Sequence, residues 1–159
     1  MLHALRILRF VWKARRPSTL HDMPVVVDAF WIRKGYQALT FFGVILTHTH
    51  KEAALLGGRL NTLKNHELIH LKQAVATNDS WWRFYALYLR FWWKARKAHY
   101  PNAGYRLNPF EMEAYANERD LNFRVSHWRN FRMTNRQRRR WYKEHGETSE
   151  NVTKKPGVS

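Results

Sequence analysis

The chain of 159 residues contains no cysteine. No disulfide can therefore stabilise the fold, and no thiolate is available as a nucleophile or a metal ligand. A bound metal ion would have to be held by histidine and carboxylate side chains. The sequence also lacks a glycine-rich loop that could cradle phosphates and a serine nucleophile elbow. These absences disfavour nucleotide hydrolysis of the P-loop type and catalysis by a serine or cysteine nucleophile.

Acidic residues are also few, since 12 Asp and Glu are set against 28 Lys and Arg, which gives a formal net charge of +16. This excess predicts attraction to nucleic acid or to an anionic membrane surface. The length suits one domain with a buried core and is too short for a second full domain. The apolar runs predict neither a signal peptide nor a transmembrane helix, and we expect a cytoplasmic protein or one peripheral to the inner membrane surface.

A candidate metal site lies in the segment Asn65–Gln73, which contains the pattern His-Glu-x-x-His. Two histidines four residues apart on a helix lie one turn apart on the same face, so both can reach one ion. We therefore predict that His66 and His70 bind Zn²⁺. Glu67 would be the general base that takes a proton from a water molecule activated by zinc. The alternative is a surface helix that carries these residues by chance.

A second motif follows an aromatic segment, in Asn108-Pro-Phe-Glu-Met-Glu-Ala. Together the two motifs resemble the gluzincin pattern of HExxH followed by a helix with Glu-x-x-Ala, and residues 36–122 are similar to small bacterial zincin-like proteins. The resemblance implies a zinc metallopeptidase acting on a peptide or protein substrate, with Glu111 as the third zinc ligand. The Asp that the pattern places four residues later is Tyr115 here, so the usual carboxylate behind a histidine has no counterpart in the motif.

Glu111 has an alternative interpretation, because Asn108, Pro109 and Glu111 occupy the N-cap, N1 and N3 positions of a helix. In a capping box, the Glu111 carboxylate would bond the backbone of Asn108 instead of a metal ion. Glu113 is the fallback ligand in that case. The motif alone does not choose between the two uses.

Five further residues are weaker candidates. His48 and His50 alternate on a polar segment and could bind a metal, although such histidines are more often solvated. Tyr105, Tyr115 and His99 are candidate hydrogen-bond donors for an oxyanion, although each is more often structural.

Strands are predicted at Val25–Val27 and, more strongly, at Tyr36–Leu46, which is rich in β-branched and aromatic residues. The resemblance implies that residues 38–46 form an edge strand that pairs with an extended substrate, with Gly43 allowing close approach. The alternative is a core strand. Residues 17–24 have proline at both ends and predict a linker, so the fold would start near Val25.

The segment 80–100 is aromatic and follows a capping cluster at Asn78–Ser80. Only the 13 residues from Trp81 to Trp93 are largely apolar, and they include two arginines, which is too short a run to span a bilayer. The segment predicts either a core helix that covers the metal helix or a helix in a membrane interface. We favour the core helix, because a small domain needs large buried side chains.

The predicted organisation is a small α+β zincin-like domain, 25–123, with a short sheet, an HExxH helix, an aromatic helix and a third helix bearing Glu111. Residues 1–24 form a basic amphipathic helix, for membrane anchoring or packing, and the linker. Residues 124–143 carry eight Lys or Arg with interleaved aromatics, a composition that predicts binding to nucleic acid or to anionic lipid. The alternative is a basic helix that is simply exposed to solvent. Residues 144–159 predict a disordered tail.

The predicted function is a zinc-dependent hydrolase, in particular a peptidase with Glu67 as its base. The alternative is a basic module that binds nucleic acid or an anionic membrane, with a degenerate or purely structural metal site. Zinc content and an open coordination position would separate these functions.

Overall fold

The computed structural model of the chain describes residues 16–27, 38–56, 62–97, 102–125, 127, 136–137, 140 and 143–144. A short 3₁₀ helix, Pro17–Thr19, precedes the strands β1 (Val25–Val26), β2 (Leu39–Phe41) and β3 (Val44–Leu46). The helices are α1 (His50–Leu55), α2 (Thr62–Ala76), α3 (Trp81–Arg96), α4 (Ala103–Arg106) and α5 (Pro109–Asn117). The predicted α+β class is confirmed.

The sheet of the described residues has the order β1-β3-β2, with β3 parallel to β1 and antiparallel to β2. All three residues of β3 are buried, as expected for the central strand. Strand β2 lies at one edge of this sheet and packs along α2, the helix that carries the HExxH motif. The predicted strand at Val25 is confirmed.

The prediction of one continuous strand over Tyr36–Leu46 is wrong, because the chain reverses at Phe42 and Gly43. Both residues have positive φ angles, 46° and 88°, which is typical of a two-residue type I′ hairpin turn. Both positions of such a turn are usually Asn, Asp or Gly, but here the first is Phe42, and the residues on either side favour strands. The composition therefore does not reveal the turn. The Phe42 N–H donates to the Tyr85 hydroxyl at 3.1 Å. Gly43 is therefore a turn residue, and a Cβ there would lie 2.7 Å from a side-chain carbon of Leu20.

Residues 17–24 are not a linker, since they pack on the domain. The backbone N–H and hydroxyl of Ser18 both donate to the Asp79 carboxylate, each at 2.6 Å. Met23 is 2% exposed and belongs to the main core. Proline and polar residues predict an irregular path, but they do not reveal that its partner is 61 positions away.

Helix α3 begins as predicted, with the Ser80 hydroxyl accepting a hydrogen bond from the Arg83 N–H at 3.3 Å. Its inner face joins the core through buried Phe84, which packs on Phe110 with ring centroids 5.0 Å apart. The predicted core position of this helix is confirmed for that face only, because the opposite face is exposed. Among the described helices, none combines the length and apolar character needed to cross a bilayer.

Several predictions fall outside the residues that the structure describes. They concern the N-terminal amphipathic helix up to residue 15, the candidate donor His99, most of the basic segment 124–143 and the tail beyond residue 144.

Candidate metal centre

Helices α2 and α5 lie against each other and bring His66, His70 and Glu111 together. All three side chains are buried, and one ligand atom from each lies within 4.8 Å of the other two. His66 Nε2 is 3.3 Å from Glu111 Oε2, and His70 Nε2 is 3.4 Å from Glu111 Oε1. Each imidazole therefore directs its Nε2 atom toward the Glu111 carboxylate, across the space between the two helices.

The second ring nitrogen, Nδ1, of each histidine also has a partner within hydrogen-bonding distance. His66 Nδ1 lies 3.3 Å from Glu118 Oε2, and His70 Nδ1 lies 2.8 Å from Gln73 Oε1. Partners of this kind fix the ring orientation and the tautomer of metal-binding histidines. Glu118, at the C-terminal end of α5, thus supplies the carboxylate behind a histidine that the motif itself lacks at Tyr115.

The loop after α5 is tied to α2 by Asn65, the residue that precedes the HExxH motif. Its side-chain amide donates to the carbonyls of Glu118 at 2.8 Å and Asp120 at 3.1 Å. Lys72 adds a bond from Nζ to the Phe123 carbonyl at 3.0 Å. These bonds keep Glu118 within reach of His66.

The structure brings Glu111 to the histidines, and Glu113 lies elsewhere. Glu113 Oε2 instead accepts from Gln73 Nε2 at 3.0 Å. The capping box is not formed, since the Asn108 N–H donates to the Tyr105 carbonyl and the Asn108 side chain caps the helix by accepting from Phe110. The Glu111 carboxylate is left to face the two imidazoles.

Helix α3 closes the site from a third side. The Tyr88 hydroxyl donates to Glu111 Oε1 at 2.7 Å, and the Asn108 amide donates to the Tyr88 carbonyl at 3.2 Å. The ring of buried Phe84 lies 6.1 Å from that of His70. The aromatic helix therefore orients the carboxylate as well as filling the core.

Glu67 is buried beside the cluster and is held by the edge strand β2. The Thr40 hydroxyl donates to Glu67 Oε2 at 2.6 Å. No other described residue hydrogen-bonds this carboxylate, so its Oε1 is available for a proton. The Thr40 carbonyl itself accepts from the Tyr85 hydroxyl at 2.9 Å, so helix α3 is bonded to the same edge strand.

The electrostatics of the cluster favour positive charge at its centre. Burial lowers the pKa of His66, but the hydrogen bonds to Glu111 and Glu118 outweigh burial and raise that pKa to about 10. Burial likewise lowers the pKa of His70, and the charge of Glu111 more than reverses this. Burial raises the pKa of Glu111, yet the adjacent histidines hold it well below its usual range. The site is therefore suited to a cation or to bound protons.

Two of the three candidate oxyanion donors lie next to this cluster. The Tyr115 ring stands edge-on to that of His66, with centroids 4.5 Å apart, and its hydroxyl is 3.0 Å from that of Tyr105. Burial, and then the charge of Glu111, raise the pKa of both tyrosines. Both therefore keep their protons at neutral pH and can donate hydrogen bonds. His48 and His50 are not members of the cluster.

Sequence reasoning missed four residues that support the site, namely Thr40, Gln73, Tyr88 and Glu118. Only Gln73 carried a local signal, because it lies three residues after His70 on the same helical face. The other three come from separate elements.

No protein-family model, curated protein or solved structure matches the chain. The cluster of His66, His70 and Glu111 is the part of the described structure with recognisable chemistry.

Proposed function

We propose that this protein is a zinc-dependent hydrolase, in particular a peptidase, whose metal ion is held by His66, His70 and Glu111. The observation that carries the proposal is the convergence of two buried imidazole Nε2 atoms and one carboxylate. This donor set fits zinc, which takes nitrogen and oxygen ligands in a chain without cysteine. When bound, the metal would lower the pKa of a water molecule to about 7 and polarise a substrate carbonyl.

A catalytic centre is favoured over a structural one by the number of ligands. Structural zinc sites are normally closed by four protein ligands, whereas catalytic sites have three and keep one position open. Among the residues that the structure describes, no fourth His, Asp or Glu joins the cluster. Glu118 is close, but it faces the other nitrogen of His66.

Glu67 is the proposed general base. Thr40 holds one carboxylate oxygen, and the other oxygen receives the proton from the attacking water. The hydroxyls of Tyr105 and Tyr115 bond each other, so one donates to the other, and the remaining proton of the pair would donate to negative charge that develops on the substrate oxygen. These roles are supported by the burial of Glu67 next to His66 in the sequence and by the contact of the Tyr115 ring with that of His66.

The substrate in this proposal is a peptide or protein. A cytoplasmic location at the inner membrane surface belongs to the same proposal, and it is supported by the net charge of +16. The alternative function, a binding module with a structural or degenerate metal site, would require the cluster to have no hydrolytic role.

Hydrolysis by a Glu67→Gln variant tests the proposal. Glutamine keeps the shape of the side chain but cannot accept the proton, so we expect hydrolysis of an unstructured protein at neutral pH to fall by about 10²- to 10⁴-fold. Zinc content should not change. A chelator should abolish wild-type activity and added zinc should restore it, while the surface variant Glu144→Gln should match the wild type. Equal, chelator-sensitive activity in Glu67→Gln would refute the assigned base.

A further inference from the structure

Helix α3 carries an exposed apolar stripe on the side opposite the core. Its members lie at positions 82, 86, 89 and 93, whose spacing of four, three and four residues places them on one face. Trp82 is 69% exposed, and Leu89 and Trp93 are each 62% exposed. At 1.5 Å per residue the stripe is about 16 Å long. The member between Trp82 and Leu89 is the small residue Ala86, which is also exposed. Large apolar side chains exposed together on one face are typical of a binding surface.

A row of basic side chains runs beside this stripe. Its members are exposed and lie seven, four and three residues apart, so they share an adjacent face: Arg83, Arg90, Lys94 and Lys97. On the other flank, the Arg96 guanidinium lies over the rings of Trp92 and Trp93, 4.9 and 5.2 Å from their centroids. From Ser80 to Phe110 the sequence contains no acidic residue. The positive charge of the helix is therefore not neutralised from within this segment.

We call the stripe and its basic row the outer face of α3. The opposite, inner face of the helix is bonded to the rest of the domain. The Tyr85 hydroxyl donates to the Thr40 carbonyl, and the Tyr88 hydroxyl donates to Glu111. The backbone of α4 approaches α3 so closely that a Cβ on Gly104 would lie 2.7 Å from the Trp92 indole nitrogen. Helix α3 is therefore bonded or packed to the rest of the domain at several points along its length, and its outer face is left exposed.

We infer that the outer face of α3 docks on the surface of an anionic lipid bilayer. Trp82, Leu89 and Trp93 enter the boundary between headgroups and acyl chains, and the basic row contacts the lipid phosphates. Arginine and lysine stems extend along the apolar stripe while their charges reach the headgroups. The inference is independent of the metal centre, whose residues lie on the other side of the helix.

A bilayer suits this face better than nucleic acid does. Leu89, at the centre of the stripe, cannot stack on a base, and single-stranded nucleic acid is held by successive aromatic platforms along a basic groove. The stripe combines exposed Trp and Leu side chains with a flanking row of cations, which is the composition of helices that lie in a membrane interface.

Co-sedimentation of the full chain with vesicles tests the inference. We expect binding to vesicles of phosphatidylcholine mixed with phosphatidylglycerol, weaker binding to phosphatidylcholine alone, and loss of binding as salt rises. In the triple variant Trp82→Ala, Leu89→Ala, Trp93→Ala, partitioning should fall by about tenfold or more, since the inserted apolar area is removed. The matched control replaces three exposed apolar residues elsewhere, Leu39→Ala, Val75→Ala and Leu121→Ala, and should bind as the wild type does.

A second measurement does not depend on truncated side chains. Bilayers with brominated acyl chains should quench wild-type tryptophan fluorescence, and Trp82→Phe with Trp93→Phe should remove much of that quenching while binding persists. Equal partitioning of the triple variant and the wild type would overturn the inference, as would absence of wild-type binding to the anionic vesicles. If the triple variant instead loses binding to a single-stranded oligonucleotide and keeps its vesicle binding, the face recognises nucleic acid and the inference is wrong.

Discussion

The metal centre and the outer face of α3 distribute charged and aromatic side chains in opposite ways. At the centre, His66, His70 and Glu111 are buried, and each has a partner within hydrogen-bonding distance. On the outer face, Trp82, Leu89 and Trp93 are exposed beside a row of basic side chains. Buried charge is stable only when it is paired, whereas clustered exposed apolar side chains are typical of a binding surface. The contrast supports two separate proposals, a metal centre inside the fold and a docking surface on the outer face of α3.

Helix α3 contributes to both regions, yet through different residues. Its inner face places Tyr88 on Glu111 and Phe84 near His70, while its outer face carries Trp82, Leu89 and Trp93. Because the two sets do not overlap, substitutions can alter one region and leave the other unchanged.

The largest expected difference concerns folding stability. Phe84→Ala would open a cavity in the core beside His70 and should lower the free energy of unfolding by about 3–5 kcal/mol. Leu89→Ala, on the outer face of the same helix, should change it by no more than about 0.5 kcal/mol. Urea denaturation of both variants measures the difference. Similar losses in the two would mean that the outer face is packed in solution.

Next in size is the effect of the carboxylate behind His66. Glu118→Gln removes the charge that orients this imidazole, so zinc affinity should weaken by about 10- to 100-fold. Competition with a chromogenic chelator measures the affinity. Asp120→Asn, in the same loop and facing Asn122, serves as the control and should leave zinc affinity unchanged.

The pH dependence of zinc binding should follow from His66. Its pKa is raised to about 10 when no metal is bound, so at pH 8 it carries a proton that zinc must displace. Zinc affinity should therefore rise with pH, by about tenfold per unit for each proton displaced, up to the pKa of His66. Calorimetry in two buffers of different ionisation enthalpy counts the released protons. Release of no proton at pH 8 would contradict the assigned hydrogen bonds.

The smallest expected effect comes from Thr40. Thr40→Val keeps the shape of the side chain but removes the hydrogen bond to Glu67, and a bond to a charged group contributes about 1.5–3 kcal/mol. Only part of that would affect the reaction, so we expect kcat to fall by about tenfold. Zinc content should be unchanged, and Thr40→Ser should restore the rate. A kcat of Thr40→Val equal to that of the wild type would contradict a contribution of the Thr40 hydrogen bond to the proposed role of Glu67.

Local patterns predicted the helix around His66 and His70, because a spacing of four residues specifies one helical face without knowledge of the rest of the fold. The N-cap at Ser80 was also predictable locally, because Ser is a preferred N-cap residue. Glu111 was located by a second motif, and its approach to the histidines depended on how α5 packs on α2. The prediction was therefore only as good as the resemblance that suggested it.

Other features depend on contacts between distant residues, which one sequence does not reveal. The turn at Phe42 and Gly43 was missed because Phe42 and the residues on either side of the turn favour strands, and Phe42 adopts a positive φ angle while bonded to Tyr85. Pairing of Ser18 with Asp79 spans 61 positions, and the approach of Glu118 to His66 spans 52. Neither pair leaves a periodic signal in the chain.

The most direct test of the metal centre is the zinc content of the full chain, purified without a metal-binding tag and measured by mass spectrometry. We predict one zinc ion per chain in the wild type and in Glu113→Gln, whose side chain faces Gln73. Zinc should be lost in His70→Ala and strongly reduced in Glu111→Gln. Glu113→Gln is the matched control for Glu111→Gln, because both residues lie on α5 and undergo the same change. Equal zinc content in wild type, His66→Ala and His70→Ala would contradict the assignment of the site.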